Sequence, residues 1–338
     1  MTNSLLFVLG APDPEMDRIE KLLDECGITH TFATIGGVRV HPGNAYKADG
    51  IACGETSACQ IILVEGAFDR ALCGGCFTLL TDGTFPLGSV STSIDHHRPG
   101  DPGYGVPPER FLRGSSIGQV VAFLAERGFL PDTWVWDHLC SATVERFQLI
   151  SCGWLVSQFV NDIPDEPDSG HRYHALLPSD IVFAAAADHC LGAAYAGQCP
   201  GVDPDALFDW RVATRAEFQG RTVEEVRADV GRAIARVKNA PKVWLVAPQN
   251  KTEVIGALST LVADLRGEEI PELPEAACRM GVAYLANPRP GPDGRKKVVL
   301  QNASPAHLAA WPQWAKEHGI VDCYGGDPAR GFAGGYES

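Results

Sequence analysis

Short apolar runs alternate with helical patterns over the first hundred residues of the chain. Leu5 to Leu9, Thr31 to Ile35 and Gln60 to Val64 have the length and composition typical of strands. Between the first two runs, apolar residues recur at helical spacing from Met16 to Cys26, and Gly27 follows as a helix stop. This strand-helix-strand order predicts an α/β fold with a parallel sheet, in which ligands bind at the carboxyl ends of the strands.

Three helices and two polar segments are predicted in the middle of the chain. Residues 98–114 are rich in proline and glycine and predict a loop, and residues 161–174 form a polar insertion. Helices are predicted from Ile117 to Arg127, from Ile181 to Tyr195 and over residues 222–238. The last of these is amphipathic, and we expect it to connect two domains.

A second α/β pattern begins at Lys242. Its predicted elements are a strand at 243–247, a helix at 252–265, a strand at 281–285, a turn at 289–296, a strand at 297–301, a helix at 307–318 and a glycine-rich tail. We therefore predict an N-terminal domain at 1–215, a helical linker at 216–240 and a smaller α/β C-terminal domain at 241–338.

Composition and charge restrict the class of partner. The formal charge of −14 disfavours a long nucleic-acid duplex or a membrane surface. No apolar run approaches the roughly 18 residues that cross a bilayer. Eleven cysteines without an export signal are typical of reduced thiols in the cytoplasm. We expect a cytoplasmic protein that binds small ligands and no membrane.

The tripeptide Asp95-His96-His97 offers three consecutive side chains that bind divalent transition metals. It follows a run of small polar residues and precedes the loop at 98–114, as expected at the exit of a strand. Alternate residues of an extended segment point to opposite sides. Asp95 and His97 are therefore expected to face one metal site, while His96 points elsewhere or turns toward the substrate.

An Asp-His-His motif at a strand end, in a chain of this length and layout, resembles the DHH phosphoesterase superfamily. Its members include RecJ-type exonucleases, nano-RNases, cyclic-dinucleotide phosphodiesterases and inorganic pyrophosphatases of the manganese type. The resemblance implies a parallel-sheet DHH domain, a helical linker and a smaller C-terminal domain. It also implies an active site with one or two Mn²⁺ or Mg²⁺ ions. The layout is shared over nearly the whole chain, and the tripeptide is its one specific motif.

The resemblance assigns further metal ligands to acidic residues. Asp13 and Glu15 follow the first strand, where the family has Asp-x-Asp, and Glu65 follows a middle strand, where the family has Asp. Asp188 is an isolated carboxylate on an apolar, alanine-rich helix, which is unfavourable unless the group is paired or binds a metal. Neighbouring residues that are further candidates are Asp17, Asp69 and His189.

The tail resembles the glycine-rich, substrate-binding stretch with which many family members end. Gly325, Gly326 and Gly334 match its glycines, whose backbone amides can approach a phosphate closely. The family's histidine is missing, and Asp327 stands in its region. The positively charged guanidinium of Arg330 would contact the substrate in place of the histidine.

These residues predict two-metal hydrolysis of a nucleotide, a dinucleotide or a short oligonucleotide. Asp95 and His96 would act in catalysis, with His96 orienting the phosphate or stabilising its developing charge. The predicted metal ligands are Asp13, Glu15, Glu65, Asp95, His97 and Asp188.

Other interpretations remain open at this point. Glu in two Asp positions and the missing histidine also fit a decayed site in a nucleotide-binding or scaffolding protein. Cys73 and Cys76 form a Cys-x-x-Cys pair that fits a zinc or redox site. His171 and His174 lie in the polar insertion, from which they could contact substrate. A homodimer is compatible with each interpretation.

Overall fold

The chain divides into two compact units, both with mixed α/β structure. In the computed structural model, one unit comprises Met1–Val106 and Arg110–Asp188, and the other comprises Pro107–Glu109 and His189–Ser338. The predicted α/β class is thereby confirmed, whereas the DHH domain arrangement and its linker stay predictions. The structure describes residues 5–42, 44–52, 60–67, 90–130, 177–247, 259–288, 290 and 294–338.

The first unit contains a largely parallel sheet. Its strands are β1 (Leu5–Leu9), β2 (His30–Ile35), β3 (Val38–Arg39), β4 (Gly50–Ile51), β5 (Gln60–Val64) and β6 (Val90–Ile94). Strand β1 is hydrogen-bonded in parallel to both β2 and β5, and β5 is parallel to β6. The strand order is β3-β2-β1-β5-β6, and the short strands β3 and β4 both pair with β2 in antiparallel fashion.

The chain changes direction across this sheet between β1 and β5. From β1 it proceeds to β2 on one side, and β5 and β6 follow on the other side. Open α/β sheets bind ligands at such a switch point, beyond the carboxyl ends of the strands. The strand order therefore agrees with the prediction that a ligand binds at the carboxyl ends of the strands.

Two helices of this unit contact each other and begin with side-chain caps. Helix α1 (Pro14–Glu25) starts at Asp13, whose carboxylate accepts a hydrogen bond from the backbone of Met16. Helix α3 (Ser116–Glu126) follows the single turn α2 (Phe111–Gly114) and is almost entirely apolar. Its side chains pack against β1, as an edge-to-face contact between the rings of Phe7 and Phe123 shows.

Helix α4 (Ser179–Tyr195) continues from the first unit into the second. Its backbone leaves helical geometry at Cys190, which has φ −156° and ψ 51°. The rest of the second unit combines helices with a mixed sheet. Its elements are α5 (Pro204–Gln219), α6 (Val223–Lys238), β7 (Lys242–Trp244), β8 (Leu261–Asp264), α7 (Leu273–Arg279), β9 (Tyr284–Ala286), β10 (Lys297–Gln301), α8 (Pro305–Glu317), β11 (Ile320–Asp327) and β12 (Phe332–Glu337). The strand order of its sheet is β11-β12-β10-β9-β8-β7.

One predicted helix of the second unit is wrong where the structure describes it. The helix expected at 252–265 is replaced by β8 at its end, and residues 252–258 lie outside the described residues. Strand β8 pairs with both β7 and β9, so its apolar residues are buried as an inner strand of the sheet. Short apolar runs of this kind do not distinguish a buried strand from a helix by periodicity alone.

Several other elements of the chain differ from those predicted. Helices α5 and α7 were not predicted, and the glycine-rich tail is an antiparallel pair of strands, β11 and β12. The antiparallel pairing of β9 with β10 agrees with the strand, turn and strand predicted over residues 281–301. Within the parts of the chain that the structure describes, no helix combines the length and apolar character needed to cross a membrane.

Candidate metal centre

Acidic side chains follow three strands at the same edge of the first sheet. Asp13 comes shortly after β1, Glu65 directly follows β5, and Asp95 directly follows β6. Because these strands are parallel, their carboxyl ends meet at one edge. This edge includes the switch point between β1 and β5.

Two overlapping groups of side chains at this edge have the arrangement of metal ligands. The first, called here the four-residue group, consists of Glu15, Glu65, His96 and Asp188, whose candidate ligand atoms all lie within 4.8 Å of one another. The second consists of Glu65, His96 and His97. The structure thus brings together five of the predicted site residues, from β5, from the tripeptide and from helices α1 and α4.

His96 lies at the centre of the four-residue group. Its side chain is fully buried, with Nε2 2.8 Å from Asp188 Oδ2 and 4.0 Å from Glu65 Oε1. The other ring nitrogen, Nδ1, lies 3.4 Å from the hydroxyl of Ser116. These distances place one imidazole nitrogen among the carboxylates, as expected of a ligand and not of a residue that turns away from the metal.

Two carboxylates of the group have an oxygen that is suited to a cation. Glu15 is 3% exposed, and its Oε1 accepts a hydrogen bond of 2.9 Å from the backbone of Ile117 in the first turn of α3. Among the described residues, no group donates a hydrogen bond to the buried atoms Glu15 Oε2 and Glu65 Oε1. A buried carboxylate oxygen without a donor is unfavourable. A bound cation would satisfy both oxygens, so the donor set fits a divalent metal.

Electrostatics at the site also favour a cation. Burial raises the pKa of Glu15 well above its ordinary value, and the carboxylates of Asp188 and Glu65 raise it further. Burial likewise raises the pKa of Asp13 to about 8, with further contributions from Glu65 and Asp188. Without a metal, burial and the neighbouring carboxylates therefore favour the protonated forms of both acids. A cation would favour their ionised forms and release the protons.

The backbone of Glu65 has an unusual conformation that directs its side chain into the group. Its φ is 49°, in the left-handed region that costs a non-glycine residue roughly 1–2 kcal/mol. The amide of Glu65 donates to the carbonyl of Ile94, and Gly10 donates to Val64. These bonds hold the ends of β1, β5 and β6 together, so the strained residue is fixed from both sides.

We expect Gly10→Ala to destabilise the protein by roughly 2 kcal/mol and to weaken its binding of Mn²⁺. A Cβ atom at residue 10 would lie only 2.2 Å from the carbonyl oxygen of Glu65, so the ends of β1 and β5 would have to separate. Urea denaturation and Mn²⁺ titration measure the two effects.

The matched control for this substitution is Gly231→Ala in helix α6, where, apart from the adjacent helix backbone, none of the described residues has an atom within 4 Å of the added carbon. There the same change should stabilise the protein by about 1 kcal/mol, because alanine favours the helix interior. Stability of Gly10→Ala equal to that of wild type would refute the close approach of the two strand ends.

Asp13 and Asp95 belong to neither candidate group of ligands. Asp13 caps α1 through a 2.7 Å hydrogen bond from Met16, which is the alternative role of an acid at a helix start. Asp95 Oδ1 accepts from the backbone amides of His96 and His97, at 2.7 and 3.1 Å, and lies 2.8 Å from His97 Nδ1. Both residues therefore lie next to the four-residue group and hold neighbouring residues by hydrogen bonds, and neither is one of its candidate ligands.

The charge of Asp95 follows from these contacts. Burial raises its pKa, but hydrogen bonds from His97 and from the hydroxyl of Tyr46 outweigh burial, so its net pKa is lowered. Asp95 is therefore ionised and accepts hydrogen bonds. Tyr46 had no sequence signal, since its contact with Asp95 joins residues 49 positions apart.

The tail residues predicted to bind substrate lie in the second unit. Gly325 and Gly326, with φ of 84° and 105°, allow the backbone of β11 to bend. At Gly334 an added carbon would lie 2.8 Å from the ring of Tyr324, so packing alone accounts for that glycine. Arg330 is half-buried in the turn between β11 and β12. The substrate-binding role of all four predicted residues stays a prediction.

Several candidates fall outside the described residues, namely Asp69, Cys73, Cys76, His171 and His174. Comparison with family models, with curated proteins and with solved structures found no match to this chain. The resemblance to DHH phosphoesterases therefore depends on the motifs quoted above, and the metal centre depends on its geometry.

Proposed function

We propose that the protein is a metal-dependent phosphoesterase that hydrolyses a nucleotide, a dinucleotide or a short oligonucleotide. The observation that carries this proposal is the four-residue group, in which two buried carboxylate oxygens receive no hydrogen bond from the described residues. Such a group at the switch point of a parallel sheet supports a bound divalent cation. The tripeptide Asp95-His96-His97 supports phosphoester chemistry through its family resemblance.

Mn²⁺ or Mg²⁺ is the expected ion. Carboxylate oxygens suit both ions, and the imidazole of His96 favours Mn²⁺ over Mg²⁺. A divalent ion at such a site lowers the pKa of water and neutralises charge on a phosphoryl group. Glu15, Glu65 and Asp188 would hold it together with His96.

The two histidines of the tripeptide have different surroundings and therefore different proposed roles. His96 has a fully buried side chain and lies among carboxylates, so it serves as a ligand. The side chain of His97 is 31% exposed and its ring stacks on that of His96 with centroids 4.5 Å apart. We therefore assign His97 to the open side of the centre, where it would bind the ion together with Glu65 and His96, beside the place at which a substrate phosphate arrives. His96, which strand alternation pointed away from the metal, is here the more deeply buried ligand of the two.

The acidic surroundings restrict the substrate. Burial raises the pKa of both Asp13 and Glu15, the carboxylates of Glu65 and Asp188 raise it further, and the whole chain carries a charge of −14. A phosphate anion would be repelled from this site without a bound cation. A small substrate with one or two phosphates meets less of this repulsion than a long polymer does, which supports the proposed substrate class.

Hydrolysis by wild type and by Glu15→Gln tests the proposed function. With Mn²⁺ added to metal-stripped protein, wild type should hydrolyse bis(p-nitrophenyl) phosphate or short oligonucleotides, and Glu15→Gln should lose roughly 1,000-fold in rate. The amide keeps the shape of Glu15 and can still accept from Ile117, but it lacks the charge that the ion needs.

Glu25→Gln is the matched control, because it makes the same change at the other end of α1, where the side chain is partly exposed. It should retain the wild-type rate. Stoichiometric Mn²⁺ binding without any Mn²⁺-dependent hydrolysis would contradict the proposal and indicate a binding or scaffolding protein.

A further inference from the structure

Tyr46 lies beside the tripeptide and is hydrogen-bonded to Asp95. The hydroxyl of Tyr46 is 2.9 Å from Asp95 Oδ2 and 3.1 Å from Asp95 Oδ1. Burial raises the pKa of the Tyr46 phenol, and the charge of Asp95 raises it further, so the hydroxyl keeps its proton and donates. Tyr46 therefore fixes a carboxylate that is only 2% exposed.

The segment that carries Tyr46 is hydrogen-bonded to the backbone of Ala67, two residues after Glu65. Ala67 donates a backbone hydrogen bond to the carbonyl of Ala45, and Ala48 donates one to the carbonyl of Ala67. The guanidinium of Arg98 lies 3.2 Å from the centre of the Tyr46 ring, in a cation–π contact. The ring is thus held between the segment after β5 and the loop after β6.

Asp95 in turn determines the orientation of His97. Oδ1 of Asp95 accepts hydrogen bonds from the backbone amides of His96 and His97 and lies 2.8 Å from Nδ1 of His97. An acceptor oxygen at this position favours the tautomer in which Nδ1 carries the proton. Nε2 of that tautomer keeps a lone pair for a metal ion or accepts a proton. Carboxylates bonded to metal-site histidines commonly act in this way, and their loss lowers metal affinity roughly 10–100-fold.

We propose that Tyr46 is a positioning residue for His97 and acts through Asp95. The relay Tyr46–Asp95–His97 holds the imidazole of His97 at the edge of the candidate metal centre, next to Glu65 and His96. Its effect on metal binding and turnover rests on the proposed function, whereas its effect on the tautomer of His97 does not.

The first test measures the tautomer of His97 in the metal-free protein. Nitrogen NMR of ¹⁵N-histidine-labelled wild type should show His97 protonated at Nδ1. Tyr46→Phe keeps the ring and its stacking on Arg98 but removes the donor, and it should give a mixture of tautomers. Tyr336→Phe, which removes a phenolic hydroxyl in the second unit, should leave the His97 signals unchanged. Unchanged signals in Tyr46→Phe would overturn the proposal.

The second test is a double-mutant cycle on Mn²⁺ affinity. In the wild-type background, Tyr46→Phe should raise the Mn²⁺ dissociation constant roughly 10-fold. In a His97→Ala background the same change should have almost no effect, because Tyr46 acts through His97. Equal effects in both backgrounds would overturn the relay and indicate a general structural role.

Asp95→Asn provides an independent test of the same relay if Tyr46→Phe does not fold. The amide has nearly the volume of the carboxylate but presents a weaker acceptor to His97, so it should shift the tautomer in the same direction. An unchanged tautomer would overturn the proposal. If wild type binds Mn²⁺ and shows the expected tautomer but hydrolyses no phosphoester, the proposed function fails while the relay stands.

Discussion

Asp188→Asn is expected to raise the dissociation constant for Mn²⁺ by roughly 100-fold or more and to reduce phosphoester hydrolysis at least in proportion. The substitution removes one negative charge from the four-residue group, where Asp188 Oδ2 lies 2.8 Å from His96 Nε2. Asn keeps the size of the side chain, so the apolar helix around it should be unaffected. Isothermal titration with Mn²⁺ measures the loss of affinity.

The same substitution should stabilise the protein when no metal is bound. The carboxylate of Asp188 raises the pKa of both Asp13 and Glu15, which shows that these groups repel one another. Removing one charge relieves this repulsion, so the melting temperature of metal-free Asp188→Asn should exceed that of wild type. Opposite signs with and without metal distinguish a ligand from a residue that only supports packing.

Asp180→Asn is the matched control, because Asp180 lies in the first turn of the same helix α4 and is partly exposed. It loses a charged hydrogen bond with Arg18, which is worth at most about 1 kcal/mol at the surface. Its Mn²⁺ affinity should equal that of wild type. An equal loss of affinity in both variants would remove Asp188 from the proposed ligand set.

The stability of the metal-free protein should fall as the pH rises from about 5 to about 8. Asp13 has an ordinary pKa of 3.8 that the fold raises to about 8, and the fold raises the pKa of Glu15 as well. The folded state therefore binds protons that the unfolded state has already released. This stabilisation is fully present below the unfolded pKa values and is lost as the pH rises toward the folded ones.

Mn²⁺ should reverse this dependence on pH. Because the ion replaces the protons, the increase in melting temperature on adding Mn²⁺ should be larger at the upper end of this range, by roughly 5 °C or more. Thermal melts across the pH range, with and without Mn²⁺, measure it. Glu15→Gln removes one of the titrating groups and should flatten the metal-free curve. A metal-free curve that rises toward pH 8 would contradict the assigned pKa shifts.

Much of the first unit could be predicted from the sequence. Strands β1 and β5 coincide with short apolar runs, and helix α1 has apolar residues at helical spacing. Once a parallel sheet was expected, the acids Glu15 and Glu65 had to lie near its carboxyl edge. Asp188 was predictable because a lone carboxylate on an alanine-rich helix needs a partner.

The detailed roles within the site could not be predicted, because they depend on where an element ends. Strand β6 stops at Ile94, so the tripeptide lies beyond it and strand alternation no longer governs which way its side chains point. This is why His96, and not Asp95, lies among the carboxylates. Tyr46 shows a second limit, since a contact between distant segments leaves no local pattern in the sequence.

The four-residue group unites parts of the chain that are far apart in sequence, from Glu15 in α1 to Asp188 in α4. Contacts of such high sequence separation require long loops to close, and they form late when a chain folds. During synthesis, the group cannot assemble before Asp188 has left the ribosome. An ion held by late-forming contacts would therefore slow unfolding of the finished protein and leave the rate of folding nearly unchanged.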